Sequence, residues 1–177
     1  MRINTTIGIV GKICSGKSTV ASKLKNHYDT PIVSFGSYLF EYSKNNNLPV
    51  DRASLQNLGN KFIQEDSKLF LNKVLDSQSF DPNKIIIEGI RHISIYNELK
   101  KMSQTAFFAF IDAPIEIRYQ RYLRRQKESD KQISFNEFEE MDKHIVESET
   151  DLLKDKCDII LDSEEDDQRL FKYFSHL

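Results

Sequence analysis

Gly11, Gly16, Lys17 and Ser18 stand at the spacing G-x-x-x-x-G-K-[ST], the pattern of a loop that wraps phosphate groups. Each residue type has a job in that chemistry. The two glycines let the backbone turn tightly and approach an anion with no Cβ in the way. The N–H groups of the loop, through Cys14, Ser15 and Gly16, then form an anion nest at the positive end of a helix beginning near Lys17. Lys17 places an ammonium on the β- and γ-phosphates, Ser18 offers its hydroxyl to Mg²⁺, and Thr19 adds a hydroxyl near the α-phosphate. These residues predict a nucleoside triphosphate as ligand.

Two further segments carry chemistry. Glu88-Gly89-Ile90-Arg91 follows the apolar run Ile85-Ile86-Ile87. At a strand end beside the loop, Glu88 is placed to hold Mg²⁺ through water, and Arg91 to grip an acceptor's phosphate with its fork. Arg118, Arg121 and Arg125 fall at i, i+3 and i+7, one helical face, with Arg124 beside it. Guanidinium groups over a triphosphate neutralise charge that builds on the transferred phosphoryl group, and the spacing does not single out one of the three. The histidines, His27, His92, His144 and His176, show no metal spacing and no nucleophile partner; His92 stands out for its place next to Arg91.

Strands and helices must bring these segments together. Residues 6–10 read as a buried strand ahead of the loop, and Val20, Ala21, Leu24 and Tyr28 recur at near-helical spacing behind it. A second strand is expected over residues 31–35, then a short helix over 37–44. A long helix capped by Asp51 runs to about Ser77. Further strands are expected at 85–87, 106–111 and 158–161, with helices at 94–102, after Pro114, from the capping box Ser134-Phe135-Asn136-Glu137 towards Thr150, and in the tail (Leu170, Phe171, Phe174, Leu177) behind the acidic cluster of residues 164–167. Five apolar strands alternating with helices predict an α/β fold, a parallel sheet covered on both faces. Ligands of such sheets bind at the carboxyl ends of the strands, which groups the phosphate loop, Ser34 to Ser37, Glu88 to Arg91, and Asp112 at one edge.

Composition bounds the function. The chain has 177 residues, the size of one domain, with 39% hydrophobic and 29% charged residues. A net charge of −2 gives no support for a nucleic-acid polymer as partner. The longest purely apolar run, residues 106–111, is too short to span a bilayer. No apolar signal segment precedes the loop, and two cysteines, Cys14 and Cys157, form no disulfide framework; a cytoplasmic location is expected.

These residues resemble the P-loop small-molecule kinases of the nucleoside monophosphate kinase group, which carry the phosphate loop, a strand ending in [DE]-G-x-x-R or a near variant, and an arginine-bearing lid helix. Glu88-Gly89-Ile90-Arg91 matches the middle element with one residue fewer. The later part is also similar to dephospho-CoA kinases and archaeal adenylate-kinase-like proteins, through Asp112-Ala113-Pro114, the arginine helix, and Phe135-x-x-Phe138-Glu139-Glu140-x-Asp142. The resemblance implies a three-layer P-loop NTPase fold over residues 1–177, with the loop's strand central among five and a lid near residues 115–131. It also implies ATP with Mg²⁺ as donor and a small phosphorylated molecule as acceptor. Adenylate kinases carry Gly-Asp-x-x-Arg after the second strand; here Ser37 and Phe40 replace the acid and the arginine, and Arg52 is the residue to supply the missing charge.

The expected activity is transfer of the γ-phosphoryl group to a nucleoside or deoxynucleoside monophosphate. Alternatives are a dephospho-CoA-like acceptor, a regulatory NTPase, and a nucleotide-binding protein without transferase activity. Asn72-Lys73 is followed by Val74-Leu75, so the guanine-specifying Asn-Lys-x-Asp of GTPases is absent.

Overall fold

The computed structural model describes residues 2–125, 132–143, 145–163 and 167–175. The expected residues 126–131 of the lid, His144, the acidic residues 164–166, His176 and Leu177 lie outside them. In chain order the elements are β1 (Ile3–Val10), α1 (Lys17–Tyr28), β2 (Ile32–Ser34), α2 (Phe35–Asn45), α3 (Arg52–Asp76), β3 (Lys84–Ile90), α4 (Ile93–Met102), β4 (Ser103–Asp112), α5 (Ile115–Arg124), α6 (Phe135–Asp142), α7 (Ile145–Lys154), β5 (Ile159–Asp162) and α8 (Asp167–Phe174). All four strand pairings are parallel, in the order β2-β3-β1-β4-β5, so the strand that feeds the phosphate loop is central.

The strands are continuous apolar runs because both faces of the sheet are covered. Alternate side chains divide between two cores. Val33, Ile85, Ile87, Phe108 and Phe110 pack under α3 and α4 with Phe70, Leu71, Val74, Leu75 and Leu99. Ile7, Ile9, Ile86, Ala109 and Ile111 pack under α1 and α8 with Val20, Leu24, Leu170 and Phe174. A third, smaller cluster joins Ile13 of the phosphate loop to Tyr122 on α5 and Phe138 on α6.

Local signals hold in places and shift in others. Asp51 caps α3 through its carboxylate, which accepts from Ser54 N at 3.2 Å, and Ser134 with Glu137 closes the capping box of α6. The second strand is shorter than expected: Ser34 accepts the Ser37 amide at 3.3 Å, so the helix starts at Phe35 and takes Gly36 and Ser37 into its first turn. The long helix is broken at Asp66, whose backbone is extended (φ −167°, ψ 104°). Its carboxylate accepts from Leu69 N at 2.9 Å and caps the second half as a new helix. The expected helix from residue 134 towards 150 is likewise two, α6 and α7. No helix among the described residues is long and apolar enough to cross a membrane.

Candidate active site

The phosphate loop takes its shape from close backbone approach. Gly11 has φ +145°, and a Cβ there would fall 2.5 Å from the Ile111 carbonyl oxygen, so only glycine lets the loop leave β1 against β4. Ser15 N donates to Lys12 O at 3.2 Å to close the turn, and Gly16 is the N-cap of α1. Lys17 Nζ donates to the same Lys12 carbonyl, across the loop. Ser18 Oγ donates to Glu88 Oε2 at 2.8 Å. The register of β1 on β3 passes from Ile9–Glu88 to Val10–Ile90, which leaves Gly89 (φ +81°) as a bulge. Such a bulge re-aims its flanking side chains, and here Glu88 meets Ser18 while Arg91 enters the cavity.

That cavity, about 560 Å³, has the phosphate loop on one side and α2, α3 and the β3–α4 connection on the other. Of the expected site residues, Cys14, Gly16, Lys17, Ser18, Thr19, Ser37, Arg52, Glu88, Arg91, Arg121 and Arg125 line it. Gly11 and Ser15 shape the loop from below; Ser15 is 1% exposed. Arg125 has left the helix, with extended backbone at the C-cap of α5, and reaches the cavity from there.

Arg118 does not line the cavity. It is 5% exposed and turned under the loop, where both terminal nitrogens donate to Asp142 (2.5 and 2.8 Å) and Nε donates to Ala113 O at 3.0 Å. Lys12 also reaches Asp142 (3.4 Å) and Asp151 (2.9 Å). Burial pushes the Asp142 carboxyl up, but Arg118 and then Lys12 more than offset it and hold it below the usual carboxylate range. Arg121, one turn on, donates to the Ser15 carbonyl at 3.3 Å. The arginine face is therefore split: one braces the loop from beneath and one lies along its rim. Asp112, expected at the same sheet edge, pairs with Lys154 at 2.6 Å and stays outside the cavity.

Positive charge is concentrated here. Lys17, Arg52, Arg91, Arg121 and Arg125 line the cavity, and Glu88 is the single carboxylate among the described lining residues. Burial, and then Arg91 and Arg52, push the Lys17 ammonium well below its ordinary value, with Glu88 opposing. Burial, and then Arg52 and Arg125, do the same to the Arg91 guanidinium. A bound anion relieves that repulsion.

Ser18 and Glu88 supply a hydroxyl and a carboxylate at hydrogen-bond distance from each other, hard oxygen donors of the kind Mg²⁺ takes. Among the described residues no group of three or more His, Cys, Asp and Glu converges as a metal cage. These two residues fit a cation whose remaining positions go to water and phosphate oxygens.

Sequence reasoning missed the far wall. Phe35, Leu39, Leu55, Gln56, Phe70 and Ile95 line the cavity opposite the loop. Gln56 was legible as a polar residue one turn after Arg52; the aromatics read only as core. His92 also lines the cavity and is 7% exposed, with Nδ1 3.0 Å from Glu149 Oε2.

The model of the AAA domain family matches residues 10–139. No curated protein matches the sequence. Similar solved structures include shikimate kinase from Aquifex aeolicus (TM-score 0.57, 21% identity, 97% of this chain and 94% of that one). Shikimate kinase from Acinetobacter baumannii in complex with shikimate is another (0.56, 13%, 98% and 92%). A third is TT1252 from Thermus thermophilus (0.58, 17%, 99% and 96%). At these identities the likeness is one of fold.

Proposed function

The chain belongs to the AAA domain family and has the fold of the P-loop small-molecule kinases, and from that premise we propose that it transfers the γ-phosphoryl group of ATP to a nucleoside or deoxynucleoside monophosphate. One observation carries the reading: Arg52, Arg91 and Arg125 line the same cavity as the phosphate loop, Lys17 and Arg121, and Glu88 is the single carboxylate among its described lining residues. A triphosphate alone is served by the loop, Lys17 and Arg121. Arg52 and Arg91 add guanidinium groups that fit a second phosphate beside it.

In this reading residues 1–177 act as one kinase domain. The loop amides and Lys17 hold the β- and γ-phosphates, and Ser18 and Glu88 would hold Mg²⁺, which would supply positive charge to the phosphate oxygens. Arg52 and Arg91 fix the acceptor's phosphate in line with the γ-phosphorus. An acceptor oxygen bonds to that phosphorus as the bond to the β–γ bridging oxygen breaks, and ADP leaves. An ionised phosphate needs no base, in keeping with a cavity in which the single carboxylate among the described lining residues, Glu88, accepts from Ser18. Arg121 and Arg125 neutralise charge on the group in flight.

A hydroxyl acceptor, as in a dephospho-CoA-like reaction, needs a base, and the His92–Glu149 pair on the cavity wall is the observation that favours it. Incubation with ATP, Mg²⁺ and a panel of nucleoside monophosphates, dephospho-CoA and shikimate separates the readings. A diphosphate product from a monophosphate supports the proposal. Transfer only to hydroxyl acceptors, lost in His92→Gln, supports the second reading. ATP hydrolysis with no acceptor product would make the chain an NTPase.

A further inference from the structure

His92 is the only histidine among the described lining residues of the cavity, one position after Arg91. It is the N-cap residue of α4, yet its side chain makes no capping hydrogen bond. Instead Nδ1 meets Glu149 Oε2, on α7, at 3.0 Å. A carboxylate only accepts, so Nδ1 carries the hydrogen and Nε2 of the neutral ring is left with its lone pair. Nε2 makes no hydrogen bond among the described residues. The side chain is only 9% exposed and lines the cavity, so the cavity is where a partner can reach that nitrogen.

The charged and titratable groups that share the cavity with it are Lys17 on α1, Cys14 in the loop, Glu88 on β3, Arg52 on α3, Arg91 beside it in the chain, and Arg121 and Arg125 from α5 and its C-cap. Glu149 stands outside the lining, behind the ring. Burial lowers the pKa of His92, Glu149 opposes this, and Arg91 adds to the lowering. The ligand-free ring is therefore neutral at pH 7, since its ordinary value is already about 6.5. A phosphate dianion held by Arg91 reverses the balance. It brings two negative charges where one positive charge stood, and offers oxygens to an N–H. Glu149 is already in place as the acceptor for the other N–H of an imidazolium.

Resting on the kinase reading above, we propose that His92 binds the acceptor's phosphate in a proton-linked way: as the dianion enters beside Arg91, Nε2 takes a proton from solvent and donates it in a hydrogen bond to a phosphate oxygen. Glu149 is the positioning residue, holding Nδ1 and balancing the charge of the imidazolium. The proton stays on the ring while the acceptor is bound and returns to solvent when it leaves. With a hydroxyl acceptor the same nitrogen would take its proton from the acceptor itself, so the source of the proton separates the two uses of His92.

The test counts protons. AMP, CMP, GMP, UMP and dTMP are titrated in turn into the protein with a non-hydrolysable ATP analogue and Mg²⁺, by calorimetry at about pH 7.5, where a phosphate monoester is already mostly dianionic. Runs in HEPES and in Tris, which differ in ionisation enthalpy, give the protons taken up per nucleotide bound. The wild type should take up about half a proton or more, as a group does whose pKa rises on binding from below to at or above the working pH. His92→Gln should abolish the uptake and weaken binding about tenfold or more, the scale of a hydrogen bond to a charged group. Glu149→Gln still offers Nδ1 an acceptor but no charge, and should reduce the uptake. In steady state with saturating ATP, the KM of the nucleotide should rise between pH 6.5 and 8.5 in the wild type, by at most tenfold per pH unit for one proton, and stay flatter in His92→Gln. A residue of purely structural importance would not change the proton count. No uptake by the wild type, or equal uptake by His92→Gln, overturns the role of His92 and leaves the kinase reading intact. Unchanged uptake in Glu149→Gln overturns the part given to Glu149. Failure of every monophosphate to bind or be phosphorylated, with transfer to another acceptor, overturns the acceptor reading and this inference together.

Discussion

Lys17 and the guanidinium groups facing it do different work, and single substitutions separate them. Lys17 is bonded across the loop to the Lys12 carbonyl and crowded by Arg91 and Arg52. It is the ammonium placed to meet the β- and γ-phosphates, so Lys17→Ala should lower kcat by about 10³-fold or more, a transition-state loss of about 4 kcal/mol. Lys17→Arg should not restore it, because a planar fork does not fit where a compact ammonium bonds one carbonyl. Near-normal turnover in the alanine variant would overturn the kinase reading. Arg52→Ala and Arg91→Ala should each weaken acceptor binding by about 1.5–3 kcal/mol, the scale of a charge-assisted hydrogen bond. The KM of ATP should change little, and varying each substrate in turn checks the split. If Arg91→Ala raises the KM of ATP and spares the acceptor, the two halves of the cavity are assigned the wrong way round.

At the scale of elements, α5 and α6 are fastened to the phosphate loop. Ile13, 1% exposed, is packed against Tyr122 and Phe138, while Arg118 and Lys12 meet on Asp142. The loop's outer turn therefore depends on a helix more than a hundred residues later. Removing one partner of a buried ion pair leaves the other charge uncompensated, so Asp142→Leu should cost about 3–5 kcal/mol of stability. Replacing Arg118 and Asp142 together with Met and Leu should cost much less, since no buried charge is left alone. Lys12→Ala touches a partly exposed contact and should cost no more than about 1 kcal/mol. Denaturant unfolding of the three variants checks the order; equal losses would mean that Asp142 acts through packing and not charge.

Across the whole molecule, the β3–α4 connection and α7 meet at His92 and Glu149, far apart in sequence. Burial lowers the His92 pKa, against the opposing pull of Glu149. In the unfolded chain its pKa is about 6.5, so below that pH the unfolded state binds a proton that the folded state resists. Stability should be unaffected by this group above about pH 7.5 and should fall as pH drops through 6.5 towards the folded-state pKa. Thermal unfolding between pH 8 and 5 should show that slope in the wild type and a shallower one in His92→Gln. Equal slopes would mean that the imidazole is not buried neutral.

The chemistry at strand ends was legible because it depends on local spacing. Gly11, Gly16, Lys17 and Ser18 announce an anion loop wherever a strand and helix flank them, and β-branched runs between helices imply a parallel sheet. Asp66 followed by Ser67 carried the helix break as a capping signal, but the apolar period running through it read as one helix. Helical spacing placed Arg118, Arg121 and Arg125 on one face and could go no further. Only the packed structure sets Arg118 on Asp142 beneath the loop, Arg121 along its rim and Arg125 beyond the helix end. Likewise Phe35, Gln56 and Phe70 have the same apolar or polar character in a core as in a cavity wall. Which they become is decided by what α2 and α3 leave between them, a long-range packing outcome that no local pattern encodes.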